Sequence, residues 1–199
     1  MPFDGRFESR GDTGQGVIDS KGFTGKASWR QGPGGRILVQ GRLDAAAWRA
    51  IGVPVSKTMS ERTPAKLELQ KTATGWTGAL SADAYSGAIT LTSGDAPRLR
   101  YVAELSPAEA RQLGLAASVF SRPQPMVIDV SAQSGSGQAF YAVGPMKGQV
   151  NWTNEASGRT LYNWHAALTA ADLHAMGLPA SVEPKGPIPV DLVMTGFNG

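Results

Sequence analysis

Residues Leu168–Pro179 read LTAADLHAMGLP, and the same phrase stands at Leu43–Pro54 as LDAAAWRAIGVP and at Leu105–Ala116 as LSPAEARQLGLA. Each copy sets a leucine, a residue able to cap a helix (Asp44, Ser106, Thr169), an alanine-rich stretch, and a glycine at one offset (Gly52, Gly114, Gly177). Recurrence at a fixed spacing, here about 62 residues, marks a repeat array and not a lone enzyme core.

The likeness extends outward on both sides. Some twenty residues after each leading leucine a proline opens an alternating apolar run: Pro64 with Leu67 and Leu69, Pro125 with Ile128 and Val130, Pro189 with Leu192 and Met194. Upstream, a small-residue turn precedes a strand ending in a large apolar group. These are Gly25 with Trp29, Gly87 with Ile89 and Leu91, and Gly148 with Val150 and Trp152. The copies run approximately over residues 2–63, 64–124 and 125–188, with the start of a further copy at 189–199, in one continuous body of residues 1–199. Pro2, Phe3 and Phe7 fall on Pro64, Ala65 and Leu69 after a shift of one period, so the chain is expected to be an internal piece of a longer array.

The segment before each leucine alternates strictly, the period of a strand with one buried face. Ile37, Val39 and Leu43 share one side, as do Leu99, Tyr101 and Leu105, and again Tyr162, Trp164 and Leu168. The other side carries Gln40 and Arg42, Arg100 and Glu104, Asn163 and His165. A helix of about two turns follows each capping residue, with Pro107 at a first helical position, where its missing donor costs least. A crossing loop and further strands near Gly78–Asp83 and Gly87–Ser93 complete the unit. The expected fold is mostly β: an elongated, curved antiparallel sheet forming a groove, β-taco-like, with about four strands and one short helix per repeat. Strands spaced about 4.8 Å apart would advance it by roughly 19 Å per repeat.

Composition removes other classes. Of 199 residues, 41% are hydrophobic and 18% charged, so the chain can bury a core and is not disordered. A net charge of +3, with scattered Lys and Arg, does not indicate nucleic-acid binding. Cysteine is absent, which excludes disulfides and thiolate metal sites but fixes no compartment. No stretch approaches the roughly 20 apolar residues needed to span a bilayer.

Candidate catalytic and metal-binding residues are weak. His165 and His174 are the only histidines, too few to hold a metal, and both are read as facing away from the interior. Glu104 and Asp129 could be imagined as a hydrolase pair, yet Glu68, Asp129 and Asp191 recur at matching phases, as a solvated face does. GPGG at Gly32–Gly35 lacks the lysine and helix of a phosphate loop and reads as a hairpin turn, as does SGSG at Ser134–Gly137. Trp76 lies near a turn, and Trp48 on the first helix is read as a core or edge-covering residue. No enzyme, no metal and no cofactor is expected.

With its leading leucine, Gly-Leu-Pro and Gly-Pro-x-Pro-Val-Asp-Leu exit, LTAADLHAMGLPASVEPKGPIPVDLVMTG resembles repeats of the AsmA-like envelope proteins, the YhdP and TamB type of bridge-like lipid transfer protein. The resemblance covers most of the chain and rests on a rhythm of Leu, Gly and Pro. It implies a β-groove in which phospholipid acyl chains move between the inner and outer membranes. It also implies a periplasmic location, flanking repeats of a longer parent chain and an inner-membrane anchor there; this chain departs from the family pattern in carrying no anchor and in being far shorter. On that reading the groove is lined by Trp29, Ile37, Val39, Leu67, Leu69, Ile89, Leu91, Leu99, Tyr101, Ile128, Val130, Val150, Trp152, Tyr162, Trp164, Leu192 and Met194. The alternative is a sealed all-β structural or adhesive module without lipid. A second rival is a glycan hydrolase on a β-solenoid.

Overall fold

A computed structural model describes residues 3–20, 22–45, 63–82, 86–112, 115–116 and 118–197. The helix expected after Asp44, with Trp48 and Gly52, and the helix exit at Gly114 lie outside these residues.

Among the described residues the chain is mostly β, with thirteen antiparallel strands in one unclosed sheet and two short helices. The strands are hydrogen-bonded in chain order. They are β1 (Phe3–Arg10), β2 (Thr13–Ser20), β3 (Phe23–Arg30), β4 (Arg36–Leu43), β5 (Thr63–Lys71), β6 (Gly75–Ser81) and β7 (Gly87–Thr92). Then come β8 (Arg98–Leu105), α1 (Pro107–Gln112), β9 (Gln124–Gln133), β10 (Ser136–Val143), β11 (Met146–Asn154), β12 (Arg159–Leu168), α2 (Ala170–Ala175) and β13 (Ile188–Phe197). Contacts divide the chain into two compact units, Met1–Thr90 and Leu91–Gly199, the division falling inside β7 and not at a copy boundary.

Both helices begin where the sequence places a cap. Thr169 Oγ1 accepts from the Asp172 N–H, while the Asp172 carboxylate takes the Thr169 N–H at 2.5 Å. Ser106 and Glu109 repeat the exchange, at 3.2 and 2.7 Å. Such reciprocal caps satisfy two orphan backbone donors at once. α2 ends at Gly177, whose φ of +92° lies in the region glycine alone occupies cheaply.

The two packed clusters of the buried core sit at strand ends. In the second unit Leu105, at the exit of β8, packs with Ala110 of α1, Phe120 of the following loop and Ala175 of α2, and Val143 and Met146 of the β10–β11 hairpin close against them. The Ala116 N–H donates to the Ala175 carbonyl at 3.0 Å, tying the two helical segments together. In the first unit Leu43, Ala45, Ala65 and Ala82 form the corresponding cluster, with Phe23 and Leu80 against it. Among the described residues every strand belongs to this one sheet, and both helices lie at its strand ends.

One local expectation fails. His174, expected to face away from the interior, does not. The residues α2 buries are instead Asp172, Leu173 and Ala175, while Met176 is 53% exposed. A six-residue helix is turned by its capping box and by the Ala175 contact, so the His174 Nε2 is enclosed and finds no partner.

Candidate functional site

Register decides which side chains share a face, because directly paired residues of an antiparallel ladder point to the same side. In the first unit Ile37 stands between Trp29 and Leu69, and Val39 between Ala27 and Leu67. In the second, one row crosses six strands as Leu99, Val130, Ala139, Val150, Trp164 and Leu192. The row on one side of it holds Tyr101, Ile128, Tyr141, Gly148 and Ala166, and the row on the other holds Gly137, Trp152, Tyr162 and Met194. Each unit therefore presents one apolar face, on which fifteen of the seventeen residues named from sequence are brought together within their own unit. Ile89 and Leu91, half-buried on β7, fall one in each unit.

These side chains differ in exposure. Leu99, Leu192 and Met194 are 37%, 46% and 45% exposed, and most of the others are half-buried. Leu69 and Tyr101 are instead buried by the chain's own atoms, so neither can line an open surface in this structure, and both belong to the folded core.

The aromatics lie down on the sheet. A Cβ added at Gly14 would meet the Trp29 ring at 2.1 Å, and one at Gly137 would meet the Trp152 ring at 2.0 Å. Phe7 covers Gly16 in the same way and stands 6.1 Å from Trp29 between ring centroids. Only hydrogen at these positions leaves room for a ring flat on the backbone, which shields the ladder at glycines that would otherwise weaken it. The Trp164 Nε1–H donates to the Tyr141 hydroxyl at 3.0 Å, so the polar atoms of both rings are occupied on the apolar side. The sequence reading assigned glycine to turns and missed this use. The signal available was a glycine in phase with an apolar face, fifteen residues before a tryptophan in both hairpins.

On the opposite face the acids that recur from copy to copy each meet a basic residue of the preceding strand. Glu68 pairs with Arg36 and, at 2.7 Å, with Lys66. Asp129 accepts from the Arg98 Nε and Nη2 at 2.5 Å each. Asp191 lies 2.5 Å from His165 Nδ1. Hydrogen bonding from Lys66 holds the Glu68 carboxyl below its ordinary range, helped by the charge of Arg36. Arg98 does the same to Asp129 through its hydrogen bonds and then its charge, and is itself held protonated to higher pH. The arginine and lysine contacts are ion pairs on a partly exposed face. Glu104 stands opposite Pro125 and Asp129 opposite Arg100, so the imagined hydrolase pair sits four residues apart along the ladder.

No group of three or more metal-ligating side chains occurs among the described residues, and none of their helices is long and apolar enough to cross a membrane. Comparison with family models, with curated proteins and with solved structures finds no match.

Proposed function

We infer that the apolar face binds phospholipid acyl chains, and that the chain is a non-enzymatic segment of an AsmA-like bridge protein conducting phospholipids through a β-groove between the inner and outer membranes. On this reading each repeat of about 62 residues supplies four strands and a helix. Flanking repeats and an inner-membrane anchor belong to the parent protein, and the segment works in the periplasm.

The observation that carries the reading is a set of large apolar side chains on this face that stay exposed. Leu99, Leu192 and Met194 stay exposed although each is large and apolar, while the helices and Phe120 are spent on the strand ends. The row from Leu99 to Leu192 crosses six strands and so extends roughly 24 Å. That exceeds half of a bilayer core about 30 Å thick, which is what one acyl chain covers. Each methylene removed from water contributes about 0.8 kcal/mol, so plain apolar surface suffices to hold a chain without a polar pocket. An apolar side chain at every position of the row keeps an acyl chain in contact as it shifts from strand to strand, and sliding requires that. The sealed-module reading draws on the buried Leu69 and Tyr101 but leaves the exposed Leu192 and Met194 without a role.

The test is lipid extraction and mass spectrometry of the chain purified from bacterial cells without detergent, followed by crosslinking to a phospholipid with a photoreactive acyl chain. Bound phospholipid, with crosslinks at Leu99, Val150 and Leu192 and none at Gln138 or Asn163 on the other face, is expected. A lipid-free protein that crosslinks equally on both faces ends the proposal.

A further inference from the structure

The polar side of the first unit holds an arrangement that lipid binding does not use. Register sets Arg6, Lys26 and Lys66 in one row across the strands, and Arg10, Arg30 and Arg36 in another row four residues further along. At about 3.3 Å per residue the two basic rows run about 13 Å apart. Between them lies a row whose middle is short and uncharged: Gln15, Ser28 and Leu38, flanked by Glu8 on β1 and Glu68 on β5.

Space follows the short side chains. Three depressions of about 530, 670 and 240 Å³ open on this side, and Ser28 borders all three. Each of the two larger ones is of a size that takes a small ligand of a few rings. Together they form a furrow running across the strands, with Arg6, Lys26 and Gln40 on one bank and Arg10, Arg30 and Arg36 on the other.

Charge within the furrow is one-sided. Glu68 engages Arg36 and Lys66 at the β5 end. Over β1–β3 the only acid bordering the depressions is Glu8, against Arg6, Arg10, Lys26 and Arg30. Asp4 and Asp19 stand in the row beyond Arg6, outside them. The three rows carry no aromatic residue to stack on a nucleic-acid base, which is how single strands are held; Trp29, which borders the smallest depression, belongs to the opposite face, where its ring lies over Gly14. What the furrow offers is the Gln15 amide and the Ser28 hydroxyl beside the apolar Leu38 at its floor, and cations on both banks, with Val17 between Arg6 and Lys26.

We propose that this furrow binds an acidic oligosaccharide laid across β1–β4. Its hydroxyls meet Gln15, Ser28 and Gln40, and its carboxylates meet Arg6 and Lys26 on one side and Arg10 and Arg30 on the other. Guanidinium groups suit this because they take a carboxylate with two parallel hydrogen bonds. The site lies on the face opposite the apolar rows and stands whether or not those rows hold lipid.

The experiment is calorimetric titration of the full chain with galacturonate oligomers of increasing length, beside the same oligomers with every carboxyl methyl-esterified. Affinity should rise with length until the furrow is filled, fall with added salt, and vanish on esterification. Arg6→Gln combined with Lys26→Gln should weaken binding about tenfold or more, and Ser28→Leu should do the same by filling the floor. Arg159→Gln, a cation of the second unit, should change nothing. All four positions are exposed, and unchanged circular dichroism verifies the fold. Equal binding of the esterified oligomers, or no effect of either furrow variant, overturns the proposal. So does tighter binding to oligothymidylate, or to phosphatidylglycerol vesicles, than to the galacturonate series.

Discussion

Replacing Leu192 by Asp separates an open apolar face from a sealed one. Fully burying a leucine contributes about 1.5–3 kcal/mol. Leu192 is 46% exposed, so only about half of that is realised in the fold, and its loss should cost about 1 kcal/mol. Leu105, at 0% exposure, is the internal standard. Leu105→Ala removes the whole contribution and leaves a cavity against Phe120 and Ala110, for a cost of about 2–5 kcal/mol. On the lipid side the order reverses. An acyl chain over Leu192 would cover the remaining half, and a carboxylate beneath that chain would be stripped of water at a cost of several kcal/mol. Occupancy next to it should then fall more than tenfold, since about 1.4 kcal/mol is one factor of ten.

Urea unfolding followed by tryptophan fluorescence gives the first quantity, and phospholipid recovered per mole of protein gives the second. The expected result is a stable Leu192→Asp with little lipid and an unstable Leu105→Ala whose folded fraction still carries it. A Leu192→Asp as unstable as Leu105→Ala would falsify the open face; an unchanged lipid content would remove Leu192 from the ligand's path.

Three more outcomes follow from particular contacts. Ser106→Ala and Thr169→Ala each break a capping box and should lower stability by about 1 kcal/mol, while replacing either by Asn should recover most of it; denaturation midpoints decide. Because the folded Asp129 carboxyl lies below its ordinary value of 3.8, its ion pair stabilises the fold at neutral pH and is lost as acid drives the pH down through the lowered value. Asp129→Asn should therefore flatten the acid limb of the stability curve, and an unaltered limb would show that the Arg98 contact contributes nothing. Gly137→Ala drives a methyl into the Trp152 ring, so the indole should swing off the sheet, with a shift in tryptophan emission and a loss of stability; the emission of Gly158→Ala, whose turn touches no ring, is the control.

How much of this was legible in the sequence depends on the range of the interaction. Strict alternation before Leu43, Leu105 and Leu168 fixed which residues share a face, because a period of two leaves no freedom once one side is apolar. Ser106 and Thr169 announced their helices because capping is local. The burial of Tyr101 and Leu69 was not legible, since it depends on which neighbours close over them and not on their own alternation. The turn of α2, which encloses His174, was hidden likewise. A six-residue helix carries too few positions for a stripe to specify its rotation, and contacts of Ala175 with Leu105 and Phe120, far away in the chain, decide it. The furrow on the polar side escaped for a related reason: scattered Lys and Arg became rows only when Arg6, Lys26 and Lys66 were brought level by register.

A sheet has to deal with its apolar side, and the means used here differ along the strands. At the ends, α1, α2 and Phe120 close it with a small packed core. Over the β2–β3 and β10–β11 hairpins, Trp29 and Trp152 lie flat on Gly14 and Gly137, so the surface stays apolar but is lowered to the height of a ring. A sealed module would gain from the opposite choice, since a standing side chain at those glycines would reach toward a covering layer. Removing the side chain and laying an indole across the gap makes a smooth, shallow surface with few lateral barriers. Along such a surface an acyl chain can shift its register without losing contact. The paired glycine and tryptophan shield the ladder in any sheet and, on the proposed reading, also smooth the path of an acyl chain, which makes Gly137 a position at which that reading can be tested.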